Sequence, residues 1–225
     1  MLLYYITDRT QFPGAAAEKE RRLLSTVAAC AAAGVDYIQL REKDLAIREL
    51  QTLATKAVAA IPAGSSTKLL INSRIDVALA VGAHGVHLPA RDISANDARA
   101  IFARAGAKKV VIGVSAHSPE DVSIAEDQRA DFAVFAPVFE KSGLANPQGL
   151  EQLKHICGRP SGTNPGMPVF AMGGITLENA GLCIEAGAHG IAAIRLFQEG
   201  NPADTIRRLR ASFPPHHPVK TPLSF

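Results

Sequence analysis

Four times along this chain the same local grammar recurs, and it constrains the fold more than any other feature. A helical stretch ends, a small or acidic polar position follows, and an apolar strand begins, in AAGVDYIQL, VGAHGVHL, QRADFAVFAP and EAGAHGIAAI. Aligned on Gly34, Gly82, Ala130 and Gly187, these segments lie 48, 48 and 57 residues apart. Each interval holds two apolar runs and two Ala-rich helical stretches, so four quarters make eight βα units. The runs cover 2–7, 37–40, 69–71, 85–88, 110–114, 132–135, 169–171 and 191–194. Continuous apolar strands alternating with helices indicate a parallel sheet covered by helices. The expected fold class is therefore α/β, a single-domain (β/α)8 TIM barrel over 1–213. An open doubly wound sheet is the alternative, but it has no need of a four-fold repeat. The recurring glycine has a local cause too, because a left-handed residue satisfies the last helical carbonyls before the chain turns into a strand.

A chain of 225 residues with 47% hydrophobic residues can fill one such barrel. Its net charge of +3, from scattered Lys and Arg, is too small to argue for nucleic acid and suits a small anionic ligand without demanding one. Cys30, Cys157 and Cys183 form no CxxC pair and sit in apolar helical stretches, as buried thiols of a reducing compartment do. MLLYYITD lacks the basic start of a signal peptide, and no stretch reaches the length of a membrane span. These features imply a soluble cytoplasmic protein without nucleic-acid or membrane partners; they leave a homo-oligomer open. The Pro/Gly-rich stretch 158–168 reads as a surface loop entering the seventh strand. Residues 214–225 read as a Pro-rich extended or disordered tail, in which His216 and His217 are taken as mobile residues rather than a metal pair.

Barrel chemistry sits at the C-terminal ends of the strands. Polar residues gather at those ends: Gln39, Arg41 and Lys43 after the second strand, Asn72 and Ser73 after the third, His87 and Asp92 after the fourth. Ser115 and His117 follow the fifth, Lys141 and Ser142 the sixth, Gly173 and Gly174 the seventh, and Arg195 the eighth. Gln39, Arg41 and Lys43 share one parity, so alternation points all three into the mouth. Two cations and an amide there suit a phosphate or carboxylate. The competing reading is an exposed Arg-Glu-Lys-Asp loop paired with itself. The Gly173-Gly174 pair would let backbone N–H groups approach a phosphate, or it is simply a turn needing positive φ. His117 precedes a helix start in which Ser118 is the cap and Pro119 the first turn. At the mouth it could shuttle protons; equally, it could be a structural imidazole bonded to a loop carbonyl.

Together these segments resemble the thiamine phosphate synthase/TenI family over nearly the whole chain to about Phe213. The matching segments are YYITD, GVDYIQLREK, INSRIDVALAVGAHGVHLPARD, IGVSAHSPED, ADFAVFAPVFEKSG, PVFAMGGI and AGAHGIAAI, in that order. The resemblance implies an enzyme of the thiazole branch of thiamine synthesis acting on a small phosphorylated thiazole. In the synthase, a pyrimidine methyl diphosphate ionises, the thiazole nitrogen captures the carbocation, and magnesium and cations hold the diphosphate. Gln39, Arg41, Lys43, Asn72, Asp92 and Ser115 match positions used for this, and Gly173-Gly174 matches the thiazole phosphate loop. In the TenI tautomerase a histidine matched by His117 moves a proton, and no cofactor is expected.

Several positions depart from the synthase pattern. Ser73 replaces a magnesium-ligating Asp, which leaves Asp92 as the metal residue if the chain is synthase-like. Pro89-Ala90 replaces Gly-Gln, Arg195 replaces a small Ser, and 140–144 lacks the Thr-x-Thr-Lys grip. Lys141 and Arg195 are candidates for the missing positive charge. Loss of parts used for diphosphate departure, with the proton-transfer residue kept, makes a thiazole tautomerase the first expectation. His117 and Lys43 are its catalytic candidates, while Gln39, Arg41, Lys43, Asn72, His87, Ser115, Lys141, Gly173, Gly174 and Arg195 hold substrate. A magnesium-dependent synthase is the alternative, and a non-catalytic phosphate-binding barrel the third.

Overall fold

The computed structural model describes residues 1–107, 109–140, 147–158 and 166–213. The expectations for Lys141, Ser142, the middle of the 158–168 loop and the 214–225 tail fall outside the described residues. The eight strands are β1 (Leu2–Ile6), β2 (Tyr37–Leu40), β3 (Lys68–Asn72), β4 (Gly85–Leu88), β5 (Val111–Ala116), β6 (Phe132–Phe135), β7 (Val169–Met172) and β8 (Gly190–Ala193). All pair in parallel with their sequence neighbours, and β8 returns to β1, closing the barrel. Around it run α1 (Ala16–Ala32), α2 (Ile47–Ala60), α3 (Ile75–Val81), α4 (Ala95–Arg104), α5 (Pro119–Asp127), α6 (Pro147–Cys157) and α7 (Ala180–Glu185). The short α8 (Arg195–Gln198) and α9 (Pro202–Ser212) complete the ring. The expected eight βα units are all present. Ser118 caps α5 in a reciprocal capping box with Asp121, and Pro119 opens the helix. Among the described residues no helix is long and apolar enough to cross a membrane. Cys30, Cys157 and Cys183 are free; Cys30 and Cys183 are buried and Cys157 half-buried.

Side-chain alternation divides every strand between two cores. Leu3, Ile38, Leu69, Val86, Ile112, Ala133 and Ile191 point outward and pack beneath the helices. Tyr4, Leu70, Phe132, Phe170 and Ala192 point inward. The rings of Tyr4, Phe132 and Phe170 meet at centroid separations of 5.0–5.8 Å, and Tyr37 closes on Phe132 at 5.0 Å. These edge-on and tilted contacts are the arrangements aromatic quadrupoles favour. They plug the barrel beneath the polar residues at the strand ends.

The four-fold repeat has a specific hydrogen-bonding purpose. Gly34, Gly82 and Gly187 are left-handed, as expected, at φ 84°, 67° and 96°. In the third quarter the left-handed residue is Arg129, at φ 58°, and not Ala130; the true frame is one residue earlier there. Two positions beyond each of these residues stands a side-chain acceptor. Asp36 Oδ2 accepts from the Leu3 N–H at 2.7 Å and Asp131 Oδ2 from the Ile112 N–H at 2.7 Å. His84 Nδ1 accepts from Leu69 N–H at 3.1 Å and His189 Nδ1 from Val169 N–H at 3.3 Å. The same four residues donate their own N–H groups back to the carbonyls of Leu3, Leu69, Ile112 and Val169 at 2.8–3.1 Å. Each odd strand thus begins with its N–H satisfied by the side chain that precedes the next strand. Arg210 braces Asp36 at 2.7 Å and Arg99 braces Asp131 at 2.9 Å.

An imidazole can accept at Nδ1 only while neutral. Burial lowers the pKa of His189, and burial followed by the nearby Lys68 charge lowers that of His84. The folded protein therefore binds fewer protons than the unfolded chain below the ordinary histidine value of about 6.5. This contribution to stability is complete above that pH and is lost as the pH falls from there through the folded-state values. The urea midpoint should drop between pH 7.5 and pH 5. The double variant His84→Asn, His189→Asn, whose amide oxygens accept without titrating, should show a smaller drop. Equal slopes for the two proteins would show that these caps do not set the acid response.

Candidate active site

The end of β2 shows how the sequence sorts its charges. Gln39 turns inward, and its Nε2 donates to Asn72 Oδ1 at the end of β3, at 2.9 Å. Arg41 continues this alternation, its backbone N–H held by Thr7 Oγ1 at 3.0 Å. Glu42 turns the other way and is buried. It accepts from Thr7 Oγ1 at 2.6 Å, from the Arg9 backbone N–H at 3.0 Å and from the Arg9 guanidinium at 3.1 Å. The same guanidinium forks onto Asp44 at 2.6 and 2.8 Å. Burial raises the Glu42 pKa, and its bonds to Thr7 and Arg9 oppose that rise. The Arg-Glu-Lys-Asp loop is therefore not paired with itself, because both acids belong to Arg9. Among the described residues neither Arg41 nor Lys43 makes a salt bridge. Lys43 needs a correction. The strand ends at Leu40 and Lys43 lies in an exposed turn, so strand parity does not aim it inward; it stands on the rim.

Below Arg41 lies a chain of polar side chains resting on the aromatic plug. The Tyr4 hydroxyl meets His87 Nδ1 at 3.2 Å, and His87 Nε2 meets Ser115 Oγ at 2.9 Å. Tyr4 is wholly buried, with no other acceptor for its hydroxyl among the described residues. Its proton must therefore go to Nδ1, which assigns the His87 proton to Nε2. Ser115 then accepts from His87 and turns its own proton toward the mouth. Burial, followed by the Arg41 charge, lowers the His87 pKa to about 3, so the ring is neutral in the folded protein. Gly113 makes this fit, since a Cβ there would lie 2.9 Å from His87 Nδ1 and 2.4 Å from the Phe132 ring.

On the β3–β4 side, the Ser73 hydroxyl donates to Asp92 Oδ2, and Asp92 Oδ1 accepts from the Ile93 N–H at 2.8 Å. Ser73 is left-handed at φ 62°, a conformation that Gly, Asn and Asp tolerate better than Ser does. A magnesium ion, which the family resemblance implies for a synthase, needs hard oxygen donors and often takes only one or two carboxylates plus substrate phosphates. Asp92 with the Ser73 hydroxyl beside it fits this sparse donor set through a single carboxylate.

His117 is exposed at the start of the β5–α5 connection. Its Nδ1 lies 2.8 Å from the Ala136 carbonyl, and its backbone N–H donates to Asp121 at 2.8 Å. A carbonyl only accepts, so Nδ1 carries the proton and a neutral ring presents its Nε2 lone pair outward. The bond to a loop carbonyl and the availability of a proton acceptor thus coexist.

Gly173 and Gly174 have φ 103° and 62°. The space their missing side chains leave is filled by protein: a Cβ on Gly173 would lie 2.9 Å from Pro137 Cα, and one on Gly174 2.0 Å from the Glu140 carbonyl. The segment after β6 lies on this turn, with Val138 N–H donating to Met172 O at 2.8 Å and Phe139 N–H to Gly173 O at 3.1 Å. No acceptor for the Gly173, Gly174 or Ile175 N–H occurs among the described residues. Consecutive free N–H groups across positive-φ residues form a concavity suited to an anion. Arg195 heads α8, where its side chain lines a groove with Gln11, Phe12 and Arg22 against α1.

The strand ends of this (β/α)8 barrel thus carry the Ser73–Asp92 pair, the Gly173 turn, and two cations, Arg41 and Lys43, without a salt bridge among the described residues. The family model for thiamine monophosphate synthase matches residues 3–197, and the chain belongs to that family. A thiamine-phosphate synthase of Albidiferax ferrireducens is 38% identical over 197 residues, covering 85% of this chain and 82% of the relative. One of Clostridium acetobutylicum is 36% identical over 194 residues, covering 85% and 84%. Among solved structures, thiamine phosphate pyrophosphorylase from Pyrococcus furiosus is 29% identical with a TM-score of 0.75, covering 93% of this chain and 94% of that one.

The close approach at Gly174 gives a direct test. Gly174→Ala should destabilise the protein by roughly 1–3 kcal/mol, because the added methyl meets a backbone carbonyl and the residue keeps a positive φ. A thermal midpoint equal to that of the parent would mean that the 137–140 segment does not rest on this turn.

Proposed function

We propose that this chain is a thiamine-phosphate synthase, joining a pyrimidine methyl diphosphate to a thiazole phosphate. The observation that carries this reading is the charge at the mouth. Arg41 and Lys43 make no salt bridge among the described residues, while the acids between and beside them are held by Arg9. As the carbon–oxygen bond breaks, the electron pair leaves with the diphosphate, and the thiazole nitrogen supplies the pair that forms the new carbon–nitrogen bond. Charge thus builds on the departing diphosphate, where fixed cations stabilise the transition state more than the ground state. Arg41 and Lys43 take that role. Gln39, Asn72 and Ser115 hold substrate by hydrogen bonds, with His87 orienting Ser115, and the free N–H groups of Gly173 and Gly174 receive the thiazole phosphate. Asp92 would hold magnesium, which supplies further positive charge to the diphosphate when bound. The names of the similar proteins support this order over the tautomerase first expected from the altered loops.

One observation favours a second reading. The His117 Nε2 lone pair faces outward with its tautomer fixed, as a thiazole tautomerase would require.

Turnover should produce thiamine phosphate and diphosphate only with both substrates, and chelation should stop it. Arg41→Met should lower kcat/KM roughly a hundredfold, whereas His117→Asn should leave the coupling reaction nearly intact. Isomerisation of a thiazole carboxylate phosphate without coupling would overturn the synthase reading, and His117→Asn would then reduce that turnover by about a hundred- to ten-thousand-fold.

Ser73→Asp would set two carboxylates side by side and should tighten magnesium binding measured by calorimetry. An unchanged affinity would place the metal away from Asp92.

A further inference from the structure

We propose that Arg9 is a positioning residue for the mouth: by occupying Glu42 and Asp44 it keeps Arg41 and Lys43 available to an anionic ligand. The proposal rests on reading Arg41 and Lys43 as diphosphate ligands. Four consecutive residues, Arg41, Glu42, Lys43 and Asp44, carry charges of alternating sign. Left to themselves, such neighbours neutralise one another. The 3-10 turn after β1 (Arg9–Gln11) brings in a third cation from more than thirty residues away. Arg9 meets Glu42 through its backbone N–H at 3.0 Å and its guanidinium at 3.1 Å, and forks onto both oxygens of Asp44. The planar guanidinium suits this task, since it can serve two carboxylates at once in a fixed geometry. Thr7 completes the arrangement. Its hydroxyl donates to Glu42 at 2.6 Å and accepts from the Arg41 N–H at 3.0 Å, so the hold on Glu42 is passed directly to the backbone of Arg41.

The electrostatic consequence is specific. With Arg9 present, Glu42 and Asp44 are compensated, and the potential beyond them belongs to Arg41 and Lys43. Without Arg9, a buried carboxylate is left without its ion-pair partner. Lys19 acts on Asp44 from α1, and the cations adjacent in sequence to the two acids are Arg41 and Lys43, so Arg41 would turn toward Glu42 and Lys43 toward Asp44. Arg9 needs no contact with the ligand to have this effect.

The experiment is a rescue series probed with inorganic diphosphate. Arg9→Met should weaken diphosphate binding about tenfold in calorimetry. Adding Glu42→Gln and Asp44→Asn to Arg9→Met should restore most of that affinity, because no carboxylate then remains to capture the cations. In an Arg41→Met, Lys43→Met background, Arg9→Met should change the affinity less than about twofold. A folded triple variant that stays weak, or an Arg9→Met effect that persists without Arg41 and Lys43, would overturn the proposal. Nitrogen-15 relaxation of the Arg41 Nε–H supplies a readout that needs no ligand: Arg9→Met should change its order and chemical shift, and the triple variant should reverse the change. If the parent binds no diphosphate, the synthase reading fails while this measurement still decides the positioning role, and an Arg41 signal indifferent to Arg9 refutes it.

Discussion

Closing eight parallel strands leaves a cylinder whose interior must be filled by inward-facing side chains, and the rest of this molecule depends on how that is done. Tyr4, Tyr37, Phe132 and Phe170 fill it with rings 5.0–5.9 Å apart. Close-packed interiors tolerate few voids, and aromatic rings give much buried area for few rotatable bonds. With the lower part of the barrel closed, the next inward positions cannot be apolar throughout without closing the mouth as well. Ile6 and Val134 stand there, and beside them Gln39, Asn72, His87 and Ser115 satisfy one another in pairs. The polar layer is thus a continuation of the same alternation that builds the plug.

Charge is separated by the same geometry. Beyond the end of β2 the Arg41 charge acts on the inward His87, while Glu42 is buried against Thr7 and Arg9. A surface loop carrying two cations and two anions would ordinarily contribute little, since exposed pairs are screened and flexible. Here burial of Glu42 and its ties to Thr7 and Arg9 convert composition into direction. The Ser73–Asp92 pair and the free N–H turn at Gly173 occupy other parts of the rim, so cationic, carboxylate and backbone-donor functions stand on different connections.

All eight strands could be read from the sequence because buried parallel strands are short apolar runs bounded by turn residues. Gln39, Asn72, His87, Ser115, Asp92 and His117 were legible as polar residues at strand ends. What eluded the sequence is long-range partnership. Tyr4 reads as core from its neighbours Leu3 and Tyr5, and only its parity with Leu2 and Ile6 hinted that it faces inward. Thr7 and Arg9 lie thirty-odd residues from Glu42, and no local periodicity connects them. Lys43 was placed by extending strand parity past the point where the strand ends. The third repeat was framed on Ala130 because a left-handed Arg129 is unexpected at a position that favours glycine. The glycines at 173 and 174 were recognised as special, but their space is taken by the Pro137–Glu140 backbone, a tertiary contact invisible in a list of residues.

The line of hydroxyl, imidazole and hydroxyl formed by Tyr4, His87 and Ser115 is a wire with a blind end. Tyr4 is enclosed by rings, and burial holds its phenol proton well above the ordinary tyrosine range. A proton arriving at Ser115 has no exit on the far side, and none can enter from there. The direction of the two hydrogen bonds is therefore one-way, and burial, which keeps His87 neutral, does not reverse it. Ser115 accordingly offers a hydrogen toward the mouth and does not compete as a base. Proton traffic at this mouth is left to groups on its rim, which separates the part of the site that recognises from the part that can titrate.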